Sequence, residues 1–118
     1  MERTLYHYKA IVTSVYDGDT CTVDIDLGLN TWIRNEKLRL NRINAPELRG
    51  DERAKGLLSR DFLKDKIERK EITIETIKDR REKYGRYLAE IWLEDKKGKF
   101  ININDLMVSE GFAKYQKY

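Results

Sequence analysis

The sequence predicts a small β-barrel, closed or partly open, with helices packed against it. Three observations lead there. From Leu5 to Ile43, apolar and polar residues alternate in three successive runs, separated by the turns Asp17-Gly18-Asp19 and Gly28-Leu29-Asn30. From Asp51 to about Arg69 the apolar residues recur at spacings of three and four. Alternation then returns, ahead of a second, short helical stretch. A period of two marks a strand with one buried face, and a period near 3.6 marks an amphipathic helix. Three strands, a helix, two or more strands and a helix suit a barrel better than a regularly alternating α/β sheet.

Leu5 to Tyr16 is rich in β-branched and aromatic residues and reads as the first strand. Asp17-Gly18-Asp19 is a tight turn, because glycine takes backbone angles that other residues avoid and aspartate bonds its own backbone. In Thr20 to Leu27, Cys21, Val23, Ile25 and Leu27 share one face; Thr20, Thr22, Asp24 and Asp26 share the other. Trp32 to Ile43 is a third strand, with an irregularity near Asn35-Glu36. Pro46 has no N–H and pushes Ala45 out of the helical region, so this strand ends at a fixed corner. The helix from Asp51 to Arg69 presents Ala54, Leu57, Leu58, Phe62, Leu63 and Ile67, and Gly56 interrupts it only weakly. Glu71 to Ile77 and Tyr84 to Leu93 are further strands. Between them Lys78 to Lys83 is a charge run of the kind found in solvated loops. Phe100 to Ile103 is short and extended. Asn104 is placed to cap the last helix and Gly111 to end it.

The 118 residues fit one domain spanning 1–118. With 40% hydrophobic and 38% charged residues, a thin core lies under a heavily charged surface. A net charge of +3 permits a local basic groove without requiring a nucleic-acid partner. Cys21 is the single cysteine, which excludes an internal disulfide, and its apolar neighbours mark it as core. His7 is the single histidine, which argues against a zinc site or a histidine-based triad. Met1-Glu2-Arg3-Thr4 does not open a signal peptide, and no stretch approaches a membrane span. A cytoplasmic monomer without membrane contact is the expectation.

Three stretches carry chemistry. Arg39 stands on the third strand just before the corner that bears Glu47. A planar cation beside an acid or base suits a phosphate; the pair also reads as surface charges beside a turn. Asp17 and Asp19 flank Gly18, where a carboxylate serves either as an oxygen ligand for a hard cation or in an ordinary Asp-Gly turn. In Lys83-Tyr84-Gly85-Arg86, Gly85 lets the backbone approach something closely. Arg86 then offers a second fork, or a solvated edge charge.

Taken in order, "DGDT", "LRLNRINAPE", "KYGRYLA" and "INDLMVSEGFAKY" resemble the staphylococcal nuclease (thermonuclease) family, over about Ala10 to Tyr115. The resemblance implies a mainly β, α+β fold: an OB-like five-stranded Greek-key barrel with two helices. It also implies hydrolysis of phosphodiester bonds in DNA and RNA, as an endonuclease dependent on Ca²⁺ or another divalent cation. By this match Asp19, Asn44 and the Ala45 carbonyl are metal ligands. Arg39 and Arg86 are the catalytic arginines, and Glu47 is the general base for water. Lys83 and Tyr84 contact a terminal phosphate. Beyond the match, Tyr115 and Tyr118 read either as faces on which bases stack, as in proteins that favour single strands, or as terminal tyrosines that only pack or fray.

The chain also departs from the family pattern. Asn44 stands where the family has Asp, so the ligand oxygen brings no charge and the metal should be held more weakly. Ala45 replaces a frequent Thr, which should matter less because a backbone carbonyl serves there; the loop from Leu48 to Glu52 is short, and so is the C-terminal end. Asn44 supports an alternative: a weakened or inactive module that binds nucleic acid or protein.

Overall fold

In the computed structural model, which describes residues 4–117, the first three strands form an antiparallel meander. These are β1 (His7–Asp17), β2 (Thr20–Asp26) and β3 (Trp32–Leu40). Their alternation sends Val12, Cys21, Val23, Leu38 and Leu40 inward, each no more than 1% exposed. Burial pushes the Cys21 thiol up to about 12, so it packs as a small apolar residue.

A single 3-10 turn at Gly50–Glu52 and then α1 (Arg53–Ile67) carry the chain back to β5 (Glu71–Arg81). β5 pairs antiparallel with β1, on the side away from β2. The resulting spatial order β5-β1-β2-β3 is that of a Greek key. β6 (Tyr87–Glu94) pairs antiparallel with β5 and parallel with β3, through Leu38–Tyr87, Arg39–Leu88 and Leu40–Ala89. That last ladder closes a five-stranded barrel, so both edges of β3 are occupied. β7 (Phe100–Asn102) extends β6, and α2 (Ile103–Ser109) packs against it. The short β4 (Ile43–Asn44) pairs with β8 (Lys114–Tyr115). The architecture is the OB-like α+β barrel with two helices that the motifs imply.

Several elements differ from the sequence reading. The third strand stops at Leu40: Arg42 has φ +68, the ladder breaks there, and Ile43–Asn44 pairs elsewhere. β5 runs on to Arg81 where a solvated loop was expected. An irregularity at Lys78 and Asp79, both with positive φ, lets it resume. β6 begins at Tyr87, because residues 83–85 form a turn. The irregularity near Asn35 is present, with φ +59 and a register shift against β2.

The helices also differ. The buried seam of α1 is Gly56, Ser59, Leu63 and Ile67, whereas Leu58 is 62% exposed. The seam uses two small residues, and hydrophobic spacing alone does not reveal those. Asn102, not Asn104, caps α2, its side chain accepting from the Asp105 N–H at 2.8 Å. Asn104 is fully buried, donating to the carbonyls of Asn41 and Ala89 and accepting from the Ile91 N–H. It ties the end of β3 to β6, immediately ahead of the corner at Pro46. Among the described residues no helix is long and apolar enough to cross a membrane. Tyr118 lies outside the described residues.

Candidate active site

The turn between β1 and β2 is held close to the corner after β4. A Cβ on Gly18 would lie 2.0 Å from the Ser59 Oγ of α1 and 2.7 Å from the Ala45 Cβ. Glycine is needed here for close approach; its φ is not in the left-handed region. Gly56 does the same for the next residues of the corner, since a Cβ there would lie 2.2 Å from the Glu47 carbonyl oxygen. Two missing side chains thus press the Asp17–Asp19 turn and the Pro46–Glu47 corner against α1. Gly85 is the reverse case. Nothing lies within 4 Å of its Cβ position, and it supplies φ +83 to the turn before Arg86. At Gly18 the sequence reading expected unusual backbone angles, and the structure shows close packing instead; at Gly85 the structure shows the unusual backbone angle and no close protein atom.

A cavity of about 1130 Å³ opens over this junction. It is lined by Asp19, Arg39, Asn44, Ala45, Glu47, Lys83, Tyr84 and Arg86, which is every sequence-predicted site residue within 4–117 except Tyr115. Tyr115 stands outside it, its hydroxyl donating to Asp105 at 2.8 Å and its ring under Arg42. Asp17 and Glu82 also line the cavity.

Asp19 is 6% exposed and sits at the centre. Its Oδ2 accepts from the Ala45 N–H at 2.8 Å and lies 3.3 Å from an Arg39 guanidinium nitrogen. Its Oδ1 accepts from the Thr20 hydroxyl at 3.2 Å. Thr20 in turn accepts from Arg86 at 3.2 Å. Two guanidiniums, 47 residues apart in the chain, are therefore joined through one carboxylate and one hydroxyl. Arg39 also donates to the Leu40 carbonyl at 2.7 Å and to the Asn44 side-chain oxygen at 3.4 Å.

The sequence reading missed Glu82. It takes two bonds from the Arg86 guanidinium, at 3.0 and 2.9 Å, and another from the Arg86 N–H. These bonds hold its carboxyl down at about 2 and raise the Arg86 guanidinium. The four-residue spacing of acid and arginine within "EKYGR" was the available signal. Asp17 is pushed the other way, up to about 7, by burial and then by the neighbouring Asp19 charge.

Asp17, Asp19, Asn44, Ala45 and Glu47 are an all-oxygen donor set, which suits a hard cation. The crowding that raises Asp17 is the kind a bound cation relieves. The residues fit such an ion in donor chemistry. Among the described residues, no three His, Cys, Asp or Glu side chains already converge as a metal-holding group.

A barrel of this topology, with two arginines and several carboxylates at one cavity, defines an OB-like barrel protein with a charged cleft. The family model described as staphylococcal nuclease homologue matches residues 37–118, and the chain belongs to that family. Membership points to nuclease-type chemistry on nucleic acids. The comparison with curated proteins finds no match. Asp17 and Asp19 precede the matched stretch, so their place at the cavity rests on the β1–β2 turn itself.

Proposed function

We propose that this protein is a metal-dependent nuclease that cuts phosphodiester bonds within DNA and RNA. The observation that carries the reading is the chain Arg39–Asp19–Thr20–Arg86 along one wall of a cavity that Glu47 also lines. A phosphodiester is anionic and repels hydroxide, so hydrolysis needs fixed positive charge where the transition state gathers negative charge. Arg39 and Arg86 supply it as planar forks that match pairs of phosphate oxygens. Both are already oriented by carboxylates, so little rearrangement is needed when phosphate enters. Glu47 holds the attacking water and accepts its proton. Asp19, Asn44 and the Ala45 carbonyl would hold Ca²⁺ or another divalent ion. Such an ion neutralises phosphate charge and lowers the pKa of bound water. Lys83 and the exposed Tyr84 engage a terminal phosphate of the bound strand, and a single strand is favoured.

Release of acid-soluble nucleotides from single-stranded DNA tests the proposal. Cleavage is expected with Ca²⁺ and is lost with EDTA, in Arg86→Ala and in Glu47→Gln. Asn44→Asp is expected to bind Ca²⁺ more tightly by calorimetry, because it adds a charged ligand. Asn44 also favours a second reading, a binding module without catalysis. Strand binding without cleavage at millimolar Ca²⁺ or Mn²⁺ would establish that reading instead.

A further inference from the structure

Tyr16 was not among the residues that the motifs single out. It lines the same cavity as Arg39 and Arg86 and is 68% exposed. No ring or cation of the described residues stacks on it, whereas Lys83 and Arg86 both lie over the Tyr84 ring. By alternation it shares the exposed face of Ser14, and a β-bulge brings Asp17 to the same side. The β1–β2 register steps from Val15–Cys21 to Asp17–Thr20, which leaves Tyr16 as the extra residue. In an unbroken strand Tyr16 and Asp17 would face opposite sides; with the bulge both line the cavity.

Beside it the ladders align Ser14, Thr22 and Lys37 in one row across β1, β2 and β3. The next row is Asp17, Thr20 and Arg39, two residues along β3, or about 7 Å away. Ser14, Thr22 and Lys37 all line the cavity. Lys37 is exposed, and among the described residues no carboxylate forms an ion pair with it. The cavity therefore continues past the paired arginines onto a strip with one open aromatic face and one open cation. A nucleotide offers the complement, a base with a π-face and a phosphate.

We propose that Tyr16 and Lys37 form a second nucleotide subsite, in which the base next to the scissile phosphate stacks on Tyr16 and its phosphate pairs with Lys37. This rests on the nuclease reading of the cavity. Such a site recognises a strand and not a sequence, since every base has a π-face.

Fluorescence anisotropy of a 5′-labelled oligonucleotide of eight deoxythymidylates, in Ca²⁺, tests it. The Glu47→Gln protein is used so that the strand is held and not cut. Adding Tyr16→Ala is expected to weaken binding about tenfold, and Tyr16→Phe to stay within about twofold. Lys37→Ala is expected to lower the salt slope by about 1. Thymidine 5′-monophosphate, which fills only the arginine site, is expected to bind equally with and without Tyr16. Unchanged oligonucleotide affinity in Tyr16→Ala overturns the inference. So does an equal loss for the mononucleotide, or failure of the Glu47→Gln protein to bind the strand. Cleavage by the wild-type protein scores the nuclease reading separately. A protein that grips the strand through Tyr16 and never cuts it refutes that reading and leaves the subsite standing.

Discussion

Arg39 and Arg86 reach one cavity on different kinds of support. Arg39 lies within β3, between β2 and β6, and its side chain is 8% exposed. A backbone carbonyl and the buried Asp19 fix its guanidinium. Arg86 lies just ahead of β6, at the end of a turn, with its side chain 22% exposed. It is held by Glu82 and by one bond to Thr20. The first cation belongs to the barrel core and the second to a clip on its rim. Removing the first should disturb the fold and the chemistry together, and removing the second mainly the chemistry.

The largest expected effect follows directly. Arg39→Ala leaves Asp19 buried without its guanidinium, so stability should fall by about 3 kcal/mol. Arg86→Ala should cost about 1 kcal/mol or less, since the pair is local and near the surface. Urea denaturation of both variants checks this, and equal losses would erase the distinction.

Next come the glycines that shape each support. Gly18→Ala forces a methyl group into Ser59 and Ala45 and should cost about 2–3 kcal/mol, part of it recovered in combination with Ser59→Gly. Gly85→Ala meets open space and only strains the backbone, costing about 1 kcal/mol. Thermal melts giving Gly85→Ala as the worse variant would reverse this account of the two turns.

The smallest effect sharpens the role of Glu82. Its carboxyl is held near 2, below its ordinary value of 4.5. A depressed acid stabilises the fold fully above the unfolded value and loses that contribution as pH falls through the folded one. Glu82→Gln should therefore be less stable than wild type at pH 7, by about 1 kcal/mol. The gap should close between pH 4.5 and 2. A gap that persists unchanged at pH 2 would mean that charge on Glu82 is not what holds Arg86.

Much of the barrel was legible because it depends on near neighbours. Val23 and Leu38 face inward by simple alternation, and Pro46 ends its strand by its own covalent geometry. The motifs also located the site residues that line one cavity. The misreadings share one cause. Gly18, Gly56 and Asn104 have meanings set by atoms far along the chain: Ser59, the Glu47 carbonyl, and the backbone of Asn41 and Ala89. Asn104 reads as a helix cap until that burial is known. Glu82 reads as one charge in a solvated run until the turn folds it onto Arg86.

By itself, then, the sequence determined which side of each strand is apolar and where the chain turns. Both rest on residues two to four positions apart. Only the tertiary structure decided that Thr20 meets Arg86 across 66 residues, and that a bulge turns Asp17 onto the cavity face beside Tyr16. Such contacts depend on ångström-scale packing between distant segments, which local periodicity does not encode.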